Sequence, residues 1–338
     1  MRLSRSAVSI AGALCLSSAL FVGASSARQE ASAPTKVSGT AVKVGLITKT
    51  ETNPFFVKMK QGAQKQAKAL GVTLLTASGK FDTDNASQVT AIENMVTAGV
   101  KGILITPSNT KAIVPAIQKA RAKGVLVIAL DTPTDPQNAT NALFATDNFK
   151  AGVLIGQYAK AAFRGKTARI ATLDLAPGIT VGQLRHDGFL KGFGASKNDS
   201  RIVCSQDTLG DQAKGQTAME NCLQKDPDIN LVYTINEPAA AGAYQAIRKA
   251  GNAGKVTIVS VDGGCTGVRN VGTGVIAATS QQYPLKMAAL GVQAVASFAK
   301  TGKKVSGYTD TGVTLIAKKP VKGVASKGVA FGLANCWG

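Results

Sequence analysis

Polar side chains follow one predicted strand after another, and their types suit an uncharged ligand that carries hydroxyl groups. Carboxylates accept hydrogen bonds from hydroxyls, amides both donate and accept them, and an aromatic ring covers apolar C–H surface. A phosphate site would instead have a glycine-rich loop with Lys or Arg. The segments that follow the strands are 50–56, 107–109, 131–133, 146–148, 236–237, 262–264 and 281–282. This mixture indicates a site for a neutral polyol such as a sugar.

These segments are positioned by elements that alternate between strand and helix along most of the chain. Short β-branched runs are apolar at consecutive positions, which is typical of strands buried on both faces of a parallel sheet. Apolar residues at helical spacing fill the gaps between these runs. Repeated strand–helix–strand units predict right-handed crossovers and a doubly wound α/β fold. The predicted strands span residues 43–48, 72–77, 102–106, 125–130, 169–173, 201–205, 231–235, 256–261 and 275–279.

Cap residues mark where several helices begin. Asn53 and Glu237 each precede a proline, and proline favours the first position of a helix. Asp147 and Asp211 can accept hydrogen bonds from the free N–H groups of a first turn. Pro115 interrupts a helical pattern, so that helix is expected to start late or to bend. Because these helix starts follow strands, they cluster at the carboxyl edge of a sheet, where ligands bind in open α/β folds.

Composition and charge exclude several classes of function. The chain has 39 Lys and Arg against 19 Asp and Glu, a formal net charge of +20, but its lysines are scattered over several predicted helices. We therefore expect solvated basic faces and no nucleic-acid partner. One His and five Cys leave little material for a metal cluster, and no nucleophile, base and orienting acid stand in a catalytic pattern. The sequence predicts a monomeric binding protein of about two domains, with no enzymatic activity, metal or cofactor.

The first 27 residues have the pattern of an export signal. Arg2 and Arg5 form a basic start, residues 9–23 are apolar or small, and Ser25 and Ala27 supply the small side chains before a cleavage site. We expect residues 1–27 to be removed by cleavage after Ala27. An exported chain enters an oxidising compartment, where structural disulfides persist.

Export changes how the remaining cysteines are interpreted. Cys204, Cys222, Cys265 and Cys336 allow three pairings. We favour Cys204–Cys222 and Cys265–Cys336, because the first pair lies in one predicted strand–helix unit. The spacings do not resemble those of a zinc site.

Four short motifs occur in a fixed order along the chain. They are Thr52-Asn53-Pro54-Phe55-Phe56, Ala145-Thr146-Asp147-Asn148, Asn236-Glu237 and Val261-Asp262-Gly263. As an ordered set they resemble the ribose-type periplasmic sugar-binding proteins, the type I solute-binding components of ABC importers. The resemblance runs over about residues 42–298. Segments 46–50, 236–244 and 280–284, with the ending Cys336-Trp337-Gly338, are most similar to the fructose-binding members.

The resemblance implies two α/β lobes joined by three crossing segments, with a sugar between them. The N-terminal lobe would comprise residues 41–145 and 283–308, the C-terminal lobe residues 146–282 and 309–338, and the hinges would lie near 145–146, 282–283 and 308–309. The second lobe of the family usually offers another aromatic residue where this chain has Leu209, so ring stacking is expected from one side only. The implied sugar-binding residues are Asn53, Phe55, Phe56, Asp131, Arg185, Asn236, Asp262 and Gln282.

The resemblance also implies a function. We expect a periplasmic protein that captures a monosaccharide, with fructose favoured and ribose-like sugars next, and delivers it to the membrane subunits of an ABC permease. The sugar would bridge both lobes and therefore favour the closed form. Two alternatives stay open: a sugar-sensing component that contacts a chemoreceptor or kinase, and an enzyme that acts on sugars. Pull-down of partners would separate the first from transport, and a search for products would identify the second.

Overall fold

The computed structural model describes residues 41–338, which form two α/β lobes. The expected export signal over residues 1–27, with its cleavage after Ala27, lies outside the described residues. The elements of the first part of the chain are β1 (Lys43–Thr48), α1 (Pro54–Leu70), β2 (Thr73–Ser78), α2 (Asn85–Thr97), β3 (Gly102–Ile105), α3 (Val114–Ala122), β4 (Leu126–Leu130), a 3₁₀ turn (Gln137–Ala139) and β5 (Ala142–Ala145).

The second part continues the alternation and then returns to the first lobe. Its elements are α4 (Asn148–Ala162), β6 (Ile170–Asp174), α5 (Thr180–Phe193), β7 (Ile202–Asp207), α6 (Gln212–Lys225), β8 (Leu231–Thr234), α7 (Glu237–Lys249), β9 (Thr257–Asp262), α8 (Cys265–Thr273), β10 (Ala278–Gln281), α9 (Pro284–Thr301), β11 (Gly307–Asp310), β12 (Thr314–Ala317) and α10 (Val329–Asn335).

Each lobe is built on one six-stranded sheet. The first sheet has the strand order β11-β5-β4-β3-β1-β2 and is parallel throughout. The second has the order β12-β10-β9-β8-β6-β7, and its edge strand β12 is antiparallel to β10 while the other pairs are parallel. The predicted doubly wound α/β architecture with two lobes is therefore confirmed.

Helices cover both faces of each sheet, because successive strand residues point to opposite sides. On β3, Leu104 packs under α1 and α9, whereas Ile103 and Ile105 pack under α2 and α3. On β8, Tyr233 packs with α4 and α5, and Val232 packs with α6, α7 and α8. Burial on both faces explains why these strands are apolar at consecutive positions.

The predicted helix starts agree with the structure. The Asn53 side chain caps α1 by accepting from the Phe55 N–H, and Gly71, with φ of 64°, ends that helix in the left-handed conformation. Helix α3 begins at Val114 with Pro115 in its first turn, so the expected late start is confirmed. No helix among residues 41–338 is both long and apolar enough to cross a membrane.

The chain passes between the lobes three times: between β5 and α4, between β10 and α9, and between β11 and β12. The expected boundary between residues 308 and 309 falls inside β11, which pairs with β5 as far as Asp310. The third crossing therefore lies over residues 311–313. Strand β11 carries Gly, Tyr, Thr and Asp at the edge of its sheet, so it lacks the apolar pattern that marks the inner strands.

Both favoured disulfides are present. Cys204 on β7 bonds Cys222 on α6, with their Cα atoms 5.6 Å apart. Cys265, the first residue of α8, bonds Cys336 just after α10, with Cα atoms 4.9 Å apart. Both separations lie within the usual range for a disulfide.

Candidate functional site

All eight residues expected to bind a ligand line one small cavity between the lobes. Its volume is about 30 Å³, close to the share of one water molecule in the liquid. The strands of both sheets end at this cavity, as the fold rule for open α/β sheets predicts. Its other lining residues are Lys49, Asp82, Leu175, Val181 and Ile235.

Arg185 of α5 lies at the centre of the polar groups in this cavity and is buried. Its Nε donates to Asn148 Oδ1 at 2.8 Å, and Nη1 donates to the Ile235 carbonyl at 3.1 Å. Nη2 lies 3.5 Å from Asp131 Oδ1 in the other lobe, and Nη1 lies 3.8 Å from Asp262 Oδ1. The guanidinium therefore links the carboxylates of the two lobes.

Both of these aspartates have an unusual backbone conformation. Asp131 has φ of 62° and Asp262 has φ of 146°, both in the range that favours glycine. Among residues 41–338, Leu209 is the third non-glycine residue with positive φ, and it lines the neighbouring cavity. Strained backbone of this kind concentrates at functional sites, because the surrounding fold must hold it in place.

Two asparagines occupy matching positions in the two lobes. Asn53 caps α1 and Asn236 caps α7, each through its side-chain oxygen. Asn236 Nδ2 donates to the Gly210 carbonyl at 2.9 Å, whereas Asn53 Nδ2 makes no hydrogen bond within residues 41–338. The Asn53 amide can therefore donate to a ligand without leaving its capping position.

The aromatic surface of the cavity comes from the first lobe. The rings of Phe55 and Phe56 meet edge to face with centroids 5.4 Å apart, and both are buried. The second lobe contributes aliphatic side chains at this level, Leu175 among them. Leu209 lines only the neighbouring larger cavity. The apolar lining of the cavity is therefore aromatic on the side of the first lobe and aliphatic on the side of the second.

Gln282 joins the site at the second crossing. Its Nε2 donates to Asp262 Oδ1 at 2.9 Å, and its backbone N–H donates to the Asp262 carbonyl at 2.9 Å. Its Oε1 is buried and accepts no hydrogen bond from residues 41–338. A residue at a hinge thus also presents an acceptor to the cavity.

Three further polar residues at the site, Lys49, Asp82 and Asn148, are not among the eight predicted sugar-binding residues. Lys49 is 1% exposed, and its Nζ lies 3.7 Å from Asp82 Oδ2. Asn148 of α4 orients Arg185 and also donates to the Asp131 carbonyl at 3.2 Å, which connects the lobes. The signal for Asn148 was its place after a strand, whereas Lys49 resembled the many exposed lysines of the chain.

Burial controls the ionisation of the acids around this cavity. It raises the pKa of Asp82, and the positive charge of Lys49 opposes that change. Burial likewise raises the pKa of Asp262, against the stabilising charge of Arg185 and the hydrogen bond from Gln282. A ligand that donates hydrogen bonds to these oxygens would favour their charged forms.

A larger cavity of about 470 Å³ adjoins the small one and shares Asn53, Asp82 and Asp262 with it. Its size falls within the range of small-molecule sites. Phe81 and Trp337 contribute apolar surface to its walls.

The lobes also contact each other directly through residues that line neither of the two cavities. Thr110 of the first lobe donates through its N–H and Oγ1 to the Gly178 carbonyl, at 3.1 and 3.2 Å. Thr180 Oγ1 donates to Thr110 Oγ1 at 3.0 Å. These bonds hold the cleft shut on the side of α5.

Metal binding has no structural support in the part of the chain described, since no three His, Cys, Asp or Glu side chains there are grouped as ligands. The carboxylates of the cavity are paired with Arg185 and Lys49 instead.

Comparison with known proteins gives a consistent result. Residues 44–304 match the family described as periplasmic binding protein domain. The ribose import binding protein of Bacillus subtilis is 32% identical over 262 residues, which cover 78% of this chain and 83% of that protein. The D-allose-binding periplasmic protein of Escherichia coli is 28% identical, over 78% of this chain and 87% of its own length.

A solved structure agrees with these sequence matches. It is a periplasmic solute-binding protein of an ABC transporter from Actinobacillus succinogenes with bound D-allose. It superposes with a TM-score of 0.74 at 29% identity, covering 82% of this chain and 98% of that one. The match to the family model covers most of the chain, and the matched relatives are solute-binding proteins rather than enzymes. The chain therefore belongs to the periplasmic binding protein family.

Proposed function

We propose that the protein captures a neutral monosaccharide between its lobes. The observation that carries this proposal is a set of three buried oxygens in the small cavity: Asp82 Oδ2, Asp131 Oδ1 and Gln282 Oε1. None of them accepts a hydrogen bond from residues 41–338. A buried acceptor without a partner costs about 1–3 kcal/mol, so a ligand with several hydroxyl donors would remove a substantial penalty.

The charge of the cavity supports an uncharged ligand. Three carboxylates, Asp82, Asp131 and Asp262, face two cations, Lys49 and Arg185, which leaves a formal charge of 2 − 3 = −1. An anionic ligand such as a sugar phosphate would add charge of the same sign to a buried site. Sugar hydroxyls can donate to the carboxylates and accept from the guanidinium and ammonium groups without that penalty.

The mechanism is capture followed by closure. At about 30 Å³ the small cavity does not hold a monosaccharide in the present conformation, so the lobes must part to admit one. A sugar that enters would replace the direct approach of Arg185 to Asp131 with hydrogen bonds to both lobes. Since it contacts both lobes only when they are closed around it, its binding shifts the population toward the closed form. Movement would occur at the three crossings.

The identity of the sugar is the finer part of the proposal. The relatives include binders of ribose and allose, and the motifs at 46–50 and 280–284 resemble fructose-binding members. We therefore rank D-fructose first, D-ribose second and D-allose third among the sugars to test. Delivery to the membrane subunits of an ABC permease, as a monomer exported after cleavage near Ala27, completes the proposed role.

A thermal-shift screen over monosaccharides tests the proposal. The protein without residues 1–27 is heated with each of D-fructose, D-ribose, D-allose and D-arabinose, and with D-ribose 5-phosphate as a charged control. A ligand at 100 times its dissociation constant adds about 2.7 kcal/mol of stability, or roughly 5 °C in the melting temperature. We expect at least one neutral sugar to produce this shift and the phosphate ester to produce none. A shift from the phosphate alone would contradict the proposal.

A further inference from the structure

Trp337 is the single tryptophan of the chain and lies where elements of both lobes meet. Its ring is buried, at 6% exposure, and packs edge to face on Phe55 of α1 with centroids 5.4 Å apart. Its Nε1 donates to the Gln282 carbonyl at 2.8 Å, within the second crossing. One side chain therefore contacts both a ring of the candidate sugar cavity and a hinge.

The position of Trp337 is fixed by a tether to α8 in the second lobe. The neighbouring Cys336 forms the disulfide with Cys265, and the Trp337 carbonyl accepts from the Cys265 N–H at 3.0 Å. Gly264 forms a β-bridge with Trp337. A Cβ at Gly264 would lie 3.3 Å from two atoms of the Trp337 ring, so the absence of a side chain permits this close packing.

A second connection runs from the same tether to Asp262. The N–H groups of Gly263 and Gly264 donate to the two oxygens of the half-buried Glu237 carboxyl group, at 2.9 and 3.0 Å. The Glu237 N–H in turn donates to Asp262 Oδ2 at 3.3 Å. Gln282 Nε2 donates to the other oxygen of Asp262. Trp337 is thus linked to three candidate sugar-binding residues, Phe55, Gln282 and Asp262.

The other disulfide provides a contrast within the same lobe. Cys204 and Cys222 are buried in the apolar layer between β7 and α6, and neither lines either cavity of the cleft. Cys265 lines the larger cavity together with Trp337. Both cross-links are disulfides, but only Cys265–Cys336 adjoins a cavity of the cleft.

We propose that Trp337, tethered by the Cys265–Cys336 disulfide, is a positioning residue that fixes Phe55 and the Gln282 crossing in the geometry that binds sugar. We call Trp337 with the Cys265–Cys336 disulfide the Trp337 clasp. The effect of the clasp on affinity presupposes the proposed sugar-binding function. Its consequence is that the Cys265–Cys336 bond determines sugar affinity, whereas the Cys204–Cys222 bond contributes to stability alone.

Matched double variants test the clasp. Cys265→Ala/Cys336→Ala and Cys204→Ala/Cys222→Ala are compared with the wild type in calorimetric titrations with D-fructose, D-ribose, D-allose and D-arabinose. We expect the first variant to weaken the affinity for the bound sugar by about tenfold or more, because the unlinked Trp337 no longer orders its partners. The second should change affinity by less than about twofold while lowering the melting temperature. Equal losses of affinity in both variants, or none in the first, would overturn the proposal.

Tryptophan fluorescence separates the clasp from the proposed function, because the single indole reports its own burial without any sugar. We expect the emission maximum of Cys265→Ala/Cys336→Ala to shift to the red, and that of Cys204→Ala/Cys222→Ala to stay at the wild-type wavelength. An unshifted maximum in the first variant would overturn the clasp even if sugar binds to the wild type. A red shift without sugar binding to the wild type would refute the proposed function and leave the tether supported.

Trp337→Phe provides a second test of the clasp, for the case in which a cysteine variant folds poorly. This substitution retains a ring beside Phe55 but removes the N–H that donates to Gln282. We expect sugar affinity to fall by roughly fivefold and the melting temperature to drop by several degrees with cooperative unfolding retained, because the buried Gln282 carbonyl loses its donor. Unchanged affinity in this folded variant would show that the hydrogen bond to the crossing does not position the site.

Discussion

The two faces of the cleft use different chemistry around the same ligand space. The first lobe supplies the Phe55 and Phe56 rings together with the charged groups of Lys49, Asp82 and Asp131, whereas the second supplies Arg185 and Asp262 with aliphatic neighbours. Among residues 41–338, Arg185 is the one side chain that pairs with carboxylates of both lobes. The difference indicates a division of roles: only the first face offers aromatic rings to the apolar side of a ligand, and the second supplies the arginine whose ion pair with Asp131 joins the lobes.

This division of roles predicts which substitutions should reduce stability and sugar affinity most. Loss of a buried charge that joins the lobes should affect both stability and binding. Loss of a ring contact on the first face should affect both stability and binding, but by less. Ion pairs at the surface of the second lobe should matter least.

Arg185→Ala is expected to have the largest effect. It leaves Asp131 and Asp262 buried without their cation, which should cost about 3–5 kcal/mol of unfolding free energy. Sugar binding should become undetectable. Urea unfolding and calorimetry measure the two effects. Arg201→Ala is the matched control, because Arg201 also pairs with an aspartate but its side chain is 38% exposed, and its loss should cost less than about 1 kcal/mol. Equal costs for the two arginines would contradict this assignment.

Asp131→Ala should come next. It removes a buried acceptor on the first face, and we expect sugar affinity to fall at least about tenfold while the fold is retained. Calorimetry gives the affinity, and circular dichroism checks the fold. Asp199→Ala, at an aspartate paired with Arg201 outside the cleft, should leave affinity unchanged. Unchanged affinity in Asp131→Ala would remove this residue from the site.

Phe55→Leu should have a moderate effect. The substitution keeps an apolar side chain but loses edge-to-face contacts with Phe56 and Trp337, each worth about 0.5–1.5 kcal/mol. We expect sugar affinity to weaken by roughly three- to tenfold. An effect larger than that of Arg185→Ala would reverse the proposed ranking of the two faces.

His186→Gln should have the smallest effect and tests a charge pair at the edge of the second lobe. His186 Nδ1 lies 2.9 Å from Asp174 Oδ1, and this hydrogen bond raises the pKa of the imidazole above 6.5. The folded state then binds the proton more tightly than the unfolded chain, so the contribution is complete below pH 6.5 and disappears as the pH rises through the raised pKa.

The measurement is the difference in unfolding free energy between the wild type and His186→Gln as a function of pH. Because His186 is the only histidine, this difference isolates its titration. We expect a difference below about 1 kcal/mol in mildly acidic solution and none in alkaline solution. A difference that does not vary with pH would contradict the charge pair.

The fold was largely predictable because strands buried on both faces leave an unmistakable apolar run. Three strands were not found in the sequence. β5 and β12 are short strands that include alanine, a residue depleted in strands, and β11 is an exposed edge strand of polar residues. Their positions depend on pairing with distant strands, which local patterns do not encode.

The candidate site was predictable where residues follow strands or cap helices, as Asn53 and Asn236 do. It was not predictable where tertiary packing alone brings a residue in. Lys49 is buried in the wall of the cavity between the lobes, beside Asp82, which is distant in sequence. Trp337 reaches Gln282 across 55 positions of the chain. A resemblance to a family supplied Arg185, whose helical position alone resembles that of a solvated charge.

Calorimetric titration of the wild type with D-fructose, D-ribose, D-allose and D-arabinose is the decisive experiment on sugar capture between the lobes. We expect at least one of these sugars to bind one to one with a dissociation constant of about 1 µM or tighter, equivalent to about −8 kcal/mol. The same sugar should fail to bind Arg185→Ala. Absence of heat and of saturation with every neutral monosaccharide would contradict sugar capture between the lobes.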